Sequence, residues 1–233
     1  MIKGRILLAE DDLSFAFVLK DTLEDEGFKV VHFKNGQEAI EGFDKDKFDI
    51  CLLDIMMPLK DGYAIAKKIR QQSDVIPIII LSTRGHLDDK LKGYGIGVDD
   101  YLTKPFSMEE LFKKVEVFLR RSKKMHSESI SEYQINKFLF SYTELKIIHS
   151  DEIFNITQKE ADLLKFLCEN KNKVLKREEV LRHVWGKDDF FLGRSMDVYM
   201  TRLRKFFRTD PLILIETIHG IGFRFTVSSP LIE

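Results

Sequence analysis

The chain has 233 residues, enough for two ordinary domains, with the 44% hydrophobic content of a globular protein. No run reaches the roughly 18 apolar residues of a membrane span, and the N-terminus MIKGRILLAEDD lacks a signal-peptide layout, so a cytoplasmic protein without a membrane partner is expected. Two distant cysteines, Cys51 and Cys168, exclude a disulfide framework or a cysteine-built metal site. The net charge of −1 hides a shift from a mildly acidic first half to a mildly basic second half, a faint pointer to an anionic partner.

In chain order, RILLAEDD (5–12) is an apolar strand ending in Glu10, Asp11 and Asp12 ahead of a helix. One acid would satisfy the helix dipole. SFAFVLKDTLEDEG places Phe15, Val18, Leu19 and Thr22 at helical spacing and stops at Gly27. FKVVHF is a second strand and NGQEAIEGFDKD a short helix. In FDICLLD, the continuous run from Ile50 to Leu53 reads as a central strand covered on both faces, and Asp54 stands at its C-terminal edge, where open α/β sheets carry their chemistry. YAIAKKIRQQ is a helix opened by the Asp61-Gly62 turn. IPIIILS is the fourth strand, delivering Ser82 and Thr83. Gly93, Gly95 and Gly97 each weaken the next helix by about 1 kcal/mol relative to alanine, so it is easily repositioned. DYLTK is the fifth strand and brings in Lys104; SMEELFKKVEVFLRR follows as a helix capped by Ser107. Five β/α units predict an α/β, doubly wound, five-stranded parallel sheet. The absence of a glycine-rich phosphate loop argues against a nucleotide fold.

If the first and third strands are neighbours, Glu10 and Asp11 face Asp54, and such a cluster needs a cation. Few hard oxygen ligands with water completing the shell suit Mg²⁺. Acids, a hydroxyl and a lysine at one sheet edge fit phosphoryl transfer to a carboxylate. E-D at the first strand end, D-x-x-M-P-x-x-D-G at the third, S/T at the fourth and K-P at the fifth resemble the receiver domain of two-component response regulators, a flavodoxin-like fold. The resemblance implies that Asp54 is the phosphoacceptor, served by a sensor histidine kinase. It implies that Glu10, Asp11, Asp54 and the backbone carbonyl of Met56 hold Mg²⁺, that Ser82 is the switch hydroxyl, Lys104 the phosphate-binding lysine and Tyr101 the aromatic that changes rotamer. It further implies a phosphorylation-dependent homodimer in which Lys90 pairs with Glu110 and Asp100 with Arg121. Gly95 stands where relatives often have an acid, so Lys114 is expected to lack its usual partner. Met56 also stands where aspartyl-phosphate phosphatases need a second acid, so the chain is not expected to be an enzyme.

The receiver is placed at 1–122. Polar, aperiodic residues 123–132 read as a linker, and 133–233 as a second domain. KFLFSYT, ELKIIHS and EIFNIT suggest a small antiparallel sheet. Thr157 caps QKEADLLKFLCENKN, with Leu163, Leu164, Leu167 and Cys168 inward. KREEVLRHVWG and RSMDVYMTRLRKFFR are further helices, and ETIHGIGFRFTV is a hairpin turning on Gly220 and Gly222. Together these describe a winged helix-turn-helix. In the third helix Met196, Met200, Leu203 and Phe207 form the buried stripe. Ser195, Tyr199 and Arg202 are assigned to the outer face, flanked by Arg194, Arg204 and Lys205, a composition suited to a major groove.

The blocks TQKEADLL, REEVLRHVWG, RSMDVYMTRLRKFF and TIHGIGFRF resemble the OmpR/PhoB-type effector domain. The resemblance implies DNA contacts by Arg194, Ser195, Tyr199, Arg202 and Arg204, with Arg202 reading bases. His219 stands where relatives often place a minor-groove arginine, so that contact is either lost or pH-sensitive. The loop 187–193, with Phe190 and Phe191, occupies the place that meets RNA polymerase in relatives, or else packs down. The expected function is a phosphorylation-regulated transcriptional regulator that dimerises on tandem promoter half-sites. The alternative is a phosphorylation-independent DNA-binding regulator with a receiver-like dimerisation domain.

Overall fold

A computed structural model describes residues 2–83, 93–124, 132–186 and 190–228, with backbone alone at 120–124 and 190–192. The chain divides into two compact units, Met1–Lys124 and Met125–Glu233.

In the first unit, strands β1 (Arg5–Ala9), β2 (Lys29–Phe33), β3 (Ile50–Asp54), β4 (Ile78–Ser82) and β5 (Asp100–Thr103) form a parallel sheet in the order β2-β1-β3-β4-β5. β3 and β4 are buried at every position, as strands covered on both faces must be. The chain reverses its direction of winding between β1 and β3, and the register pairs Ala9 with Leu53. Glu10 and Asp54 therefore leave the sheet side by side at its switch point, where doubly wound folds open a crevice.

Helix α1 (Leu13–Asp25) is capped by Asp12, whose carboxylate accepts the backbone N–H groups of Ser14 and Phe15, both at 3.0 Å. Its buried residues are Ala16, Leu19 and Leu23, with Phe15 partly buried. Val18, expected on the apolar stripe, is 53% exposed; five apolar residues in a row, FAFVL, leave the helical phase undetermined by spacing. Helix α2 (Gly36–Gly42) is capped by Asn35 and α3 (Gly62–Arg70) by Asp61. Residues 93–96 are helical, the earlier part of that predicted helix lying outside the described residues. Helix α4 (Met108–Lys124) runs on through the first two positions of the expected linker.

The second unit begins with a four-stranded antiparallel sheet, β6 (Glu132–Ile135), β7 (Phe138–Ser141), β8 (Lys146–His149) and β9 (Glu152–Asn155), paired in that order. Helices α5 (Gln158–Glu169), α6 (Arg177–Trp185) and α7 (Phe190–Phe207) follow. Strands β10 (Val174–Lys176), β11 (Ile213–Ile218) and β12 (Gly222–Val227) form the wing sheet in the order β10-β12-β11. Thr157 and Glu160 make a reciprocal capping box at the start of α5. Gly220 turns the hairpin at φ 73°. Gly222, expected in the turn, instead opens β12, where a Cβ would lie 1.9 Å from the Leu175 carbonyl oxygen, so close strand approach demands it.

Candidate functional site: an acidic crevice and a DNA-facing helix

A cavity of about 510 Å³ lies at the β1/β3 edge, and Glu10, Asp11, Asp54, Thr83, Lys104 and Phe106 are among its lining residues. Asp54 is 6% exposed. Its Oδ1 accepts the Met56 N–H at 3.1 Å and its Oδ2 accepts Lys104 Nζ at 2.7 Å. Lys104 Nζ also donates to Glu10 Oε2 at 2.7 Å, so one ammonium bridges two nearly buried carboxylates. Burial opposes the Lys104 charge, yet the hydrogen bonds to Asp54 and Glu10 outweigh it and hold the pKa above the ordinary lysine value. Glu10 is raised to about 7, chiefly by burial and further by the Asp54 charge, against the hydrogen bond from Lys104 that lowers it.

The surrounding backbone fixes these groups. The Glu10 N–H donates to the Phe33 carbonyl at 3.1 Å, and His32 Nε2, protonated in that tautomer, donates to the Glu10 carbonyl at 2.7 Å. A Cβ on Gly62 would lie 2.2 Å from the Asp54 carbonyl oxygen. Glycine there lets α3 start directly behind the carboxylate. The Lys104 N–H donates to the Ser82 carbonyl at 2.9 Å, tying the fifth strand's exit to the fourth's. Ser82 is buried at the end of β4, and the next residue, Thr83, is exposed and lines the cavity.

One carboxylate oxygen from each of Glu10, Asp11 and Asp54 lies within 4.8 Å of the other two, a group able to hold a metal ion. Hard oxygens at that spacing, on one buried, one nearly buried and one exposed residue, fit a small divalent cation that keeps water ligands. Tyr101 is 7% exposed, its ring edge-on to Tyr94 at 5.1 Å between centroids. Its hydroxyl is packed against Gly93, where a Cβ would lie 1.7 Å away. Tyr101, expected from the resemblance to change rotamer, therefore lies inside the unit.

On the expected dimer face, Lys90 and the side chain of Arg121 lie outside the described residues, and Glu110 is exposed. Asp100 is used within the chain: Oδ1 accepts the Tyr101 N–H at 2.8 Å and Oδ2 pairs with Lys114. With glycine at 95, Lys114 pairs instead with Asp100 of its own chain, the acid expected to pair with Arg121.

Helix α7 buries Met196, Met200, Leu203 and Phe207, as its spacing predicts. The expected outer face needs correction. Ser195 and Tyr199 are 0% exposed, and Tyr199 packs on Trp185 of α6 with ring centroids 5.8 Å apart. Neither side chain is available to DNA, because α7 is wedged between helices on one side and the wing sheet on the other, which widens its buried arc. Arg202 is not the free base reader expected either: its Nε lies 2.9 Å from Glu160 Oε1, a carboxylate 1% exposed. Arg204 donates to the Ile215 carbonyl at 2.7 Å and to Thr217 Oγ1 at 2.8 Å, anchoring α7 to β11. Arg194, Thr201, Lys205 and Arg208 are exposed, as is His219 in the wing turn. Residues 187–189 lie outside the described residues; Phe190 and Phe191 belong to the first turn of α7 rather than to a loop.

The switch-point carboxylates, the bridging lysine and the winged helix define a receiver joined to a DNA-binding module. Comparison with known families agrees. The response regulator receiver domain matches residues 6–116, and the C-terminal domain of transcriptional regulatory proteins matches 151–225. The chain is 40% identical over 228 residues to the transcriptional regulatory protein RprY of Bacteroides fragilis, covering 98% of this chain and 97% of that protein. It is 36% identical over 220 residues to the response regulator ArlR of Staphylococcus aureus, covering 94% and 98%. Among solved structures, the Thermotoga maritima response regulator DrrB, an OmpR/PhoB homologue, matches at 28% identity and a TM-score of 0.51, covering 97% of this chain and all of that one. The chain belongs to the OmpR/PhoB family of two-component response regulators, which regulate transcription by binding DNA. Among the described residues, no helix is long and apolar enough to cross a membrane.

Proposed function

We propose that Asp54 is the phosphoacceptor and that its modification controls promoter occupancy by the winged helix. A carboxylate oxygen of Asp54 attacks the phosphorus of a phosphohistidine on a sensor kinase. The P–N bond breaks, its electron pair returns to the imidazole, and an acyl phosphate forms. Lys104 transfers its hydrogen bond from Oδ2 to a phosphoryl oxygen, and the Ser82 hydroxyl donates to another. Glu10, Asp11, Asp54 and the Met56 carbonyl would hold Mg²⁺, which when bound offsets negative charge on the transferring group. The observation that carries this reading is Lys104 Nζ held at 2.7 Å from both Glu10 and Asp54 at the switch point of the sheet.

Tyr101 is already buried, so phosphorylation stabilises its inward position rather than creating it. The face that carries Glu110 then pairs with a second copy, and Asp100 supports it through Lys114. Two linked effectors gain avidity for tandem half-sites. Arg194, Lys205 and Arg208 contact phosphates around the groove, Thr201 approaches the base edges and His219 reaches the minor groove from the wing. The start of α7 faces RNA polymerase, and the protein works in the cytoplasm. Incubation with acetyl phosphate and Mg²⁺ followed by intact-mass measurement tests the first step. One phosphoryl group per chain, absent in Asp54→Asn, is expected; an unmodified wild type would overturn the proposal.

A further inference from the structure

Phe15 has no part in the reading above, yet its ring flanks the bridging lysine. Lys104 Nζ lies 4.6 Å from the centroid of the Phe15 ring while it donates to Glu10 and Asp54. The ring is itself fixed: the Phe15 N–H is held by the Asp12 cap at 3.0 Å, and Phe106 packs edge-on against it at 5.8 Å and 63°. Both rings rest on the apolar core beneath α1 and α4 and line the crevice. A cation held by an aromatic face in a partly desolvated pocket gains more than it would in water.

We propose that Phe15 is a positioning residue for phosphoryl transfer, its π face holding the Lys104 ammonium at the mouth of the crevice where phosphoryl oxygens arrive. The inference rests on Asp54 being the phosphoacceptor. As Asp54 Oδ2 becomes part of the acyl phosphate, Lys104 loses one of its two carboxylate anchors. Glu10 alone would draw the ammonium toward β1. The Phe15 ring, with its centroid 4.6 Å from Nζ, supplies a second anchor that keeps the ammonium near the reacting group, so the lysine needs little rearrangement in the transition state.

Packing alone would need only an apolar side chain at position 15, so the two roles separate experimentally. In the full-length chain, the initial rate of labelling by acetyl phosphate with saturating Mg²⁺ is followed by intact mass. Phe15→Leu keeps an apolar side chain but removes the π face, and ring-trifluorinated phenylalanine at 15 keeps the shape while cancelling the ring's negative face. Both are expected to slow labelling about three- to tenfold, with Phe15→Tyr within about twofold of wild type. The fluorinated chain preserves packing and so answers the question even if Phe15→Leu folds poorly. A fluorinated variant labelled at the wild-type rate overturns the inference, whatever the leucine variant does. An unlabelled wild type would instead remove the phosphoacceptor reading and the inference with it, so the two failures are distinguishable.

Discussion

Arg202 offers a direct test of whether the recognition helix is held from within its own unit. Its Nε lies 2.9 Å from Glu160 Oε1, the arginine side chain being 30% and the glutamate 1% exposed. Breaking a buried ion pair by removing one partner typically costs about 3–5 kcal/mol. Here Arg202 keeps some contact with solvent, and Glu160 Oε2 retains the Thr157 N–H and hydroxyl at 2.7 and 3.0 Å, so Arg202→Met should cost about 2 kcal/mol. With a urea slope of about 1.5 kcal/mol/M, the unfolding midpoint falls by about 1.3 M. Trp185 is the single tryptophan of the chain and packs on Tyr199 of α7, so its fluorescence reports this unit without interference from the other. Glu160→Gln with Arg202→Met, which leaves no stranded charge, should recover most of the loss. A midpoint for Arg202→Met within about 0.3 M of wild type, together with a large loss of DNA affinity, would refute the structural role and return Arg202 to base reading.

Three further outcomes are expected. Gly93→Ala places a methyl 1.7 Å from the Tyr101 hydroxyl and 2.9 Å from a Tyr63 ring carbon; it should cost about 1–3 kcal/mol in chemical denaturation or expel Tyr101, seen as altered tyrosine ring resonances, and unchanged spectra and stability would contradict the packing. The Glu10 pKa raised to about 7 means the folded metal-free chain holds a proton the unfolded chain releases. Its contribution to stability is therefore full below the unfolded pKa and lost as pH rises through about 7. A metal ion requires the carboxylate, so the thermal stabilisation by Mg²⁺ should be larger at about pH 8 than at about pH 5.5, and equal increments would contradict the assignment. Lys205→Ala should lower the salt dependence of DNA binding by about one unit of slope with little change in sequence preference; an unchanged slope would place Lys205 off the interface.

The receiver site was legible because its carriers are buried parallel strands. The first, third and fourth strands read as apolar runs, and the polar residue at the end of each is the one the sheet edge presents; the fifth, DYLT, is marked instead by the Lys104-Pro105 pair that follows it. The α1 phase was not legible, since FAFVL fits several faces and only packing selects Ala16 and Leu19 over Val18. The α7 face misled for a different reason. Ser195, Tyr199 and Arg202 are polar and read as outward from the sequence, whereas Tyr199 packs on Trp185 of the preceding helix and Arg202 pairs with Glu160 of α5, far along the chain. The capping motif T-x-x-E marked Glu160 as a helix-start acid but carried no sign of its second partner. The contacts of His32 with Glu10 and of Phe15 with Lys104 depend on how separate elements meet at the sheet edge, which no local pattern encodes.

The most direct test of the whole account is the affinity of the full-length chain for promoter fragments recovered by genomic footprinting, measured with and without acetyl phosphate and Mg²⁺ at fixed salt. Wild type should bind more tightly and as a dimer when phosphorylated, while Asp54→Asn shows no response to the phosphodonor. Equal affinity of the two proteins, with wild type fully modified, would uncouple the sheet-edge carboxylate from DNA and contradict the account.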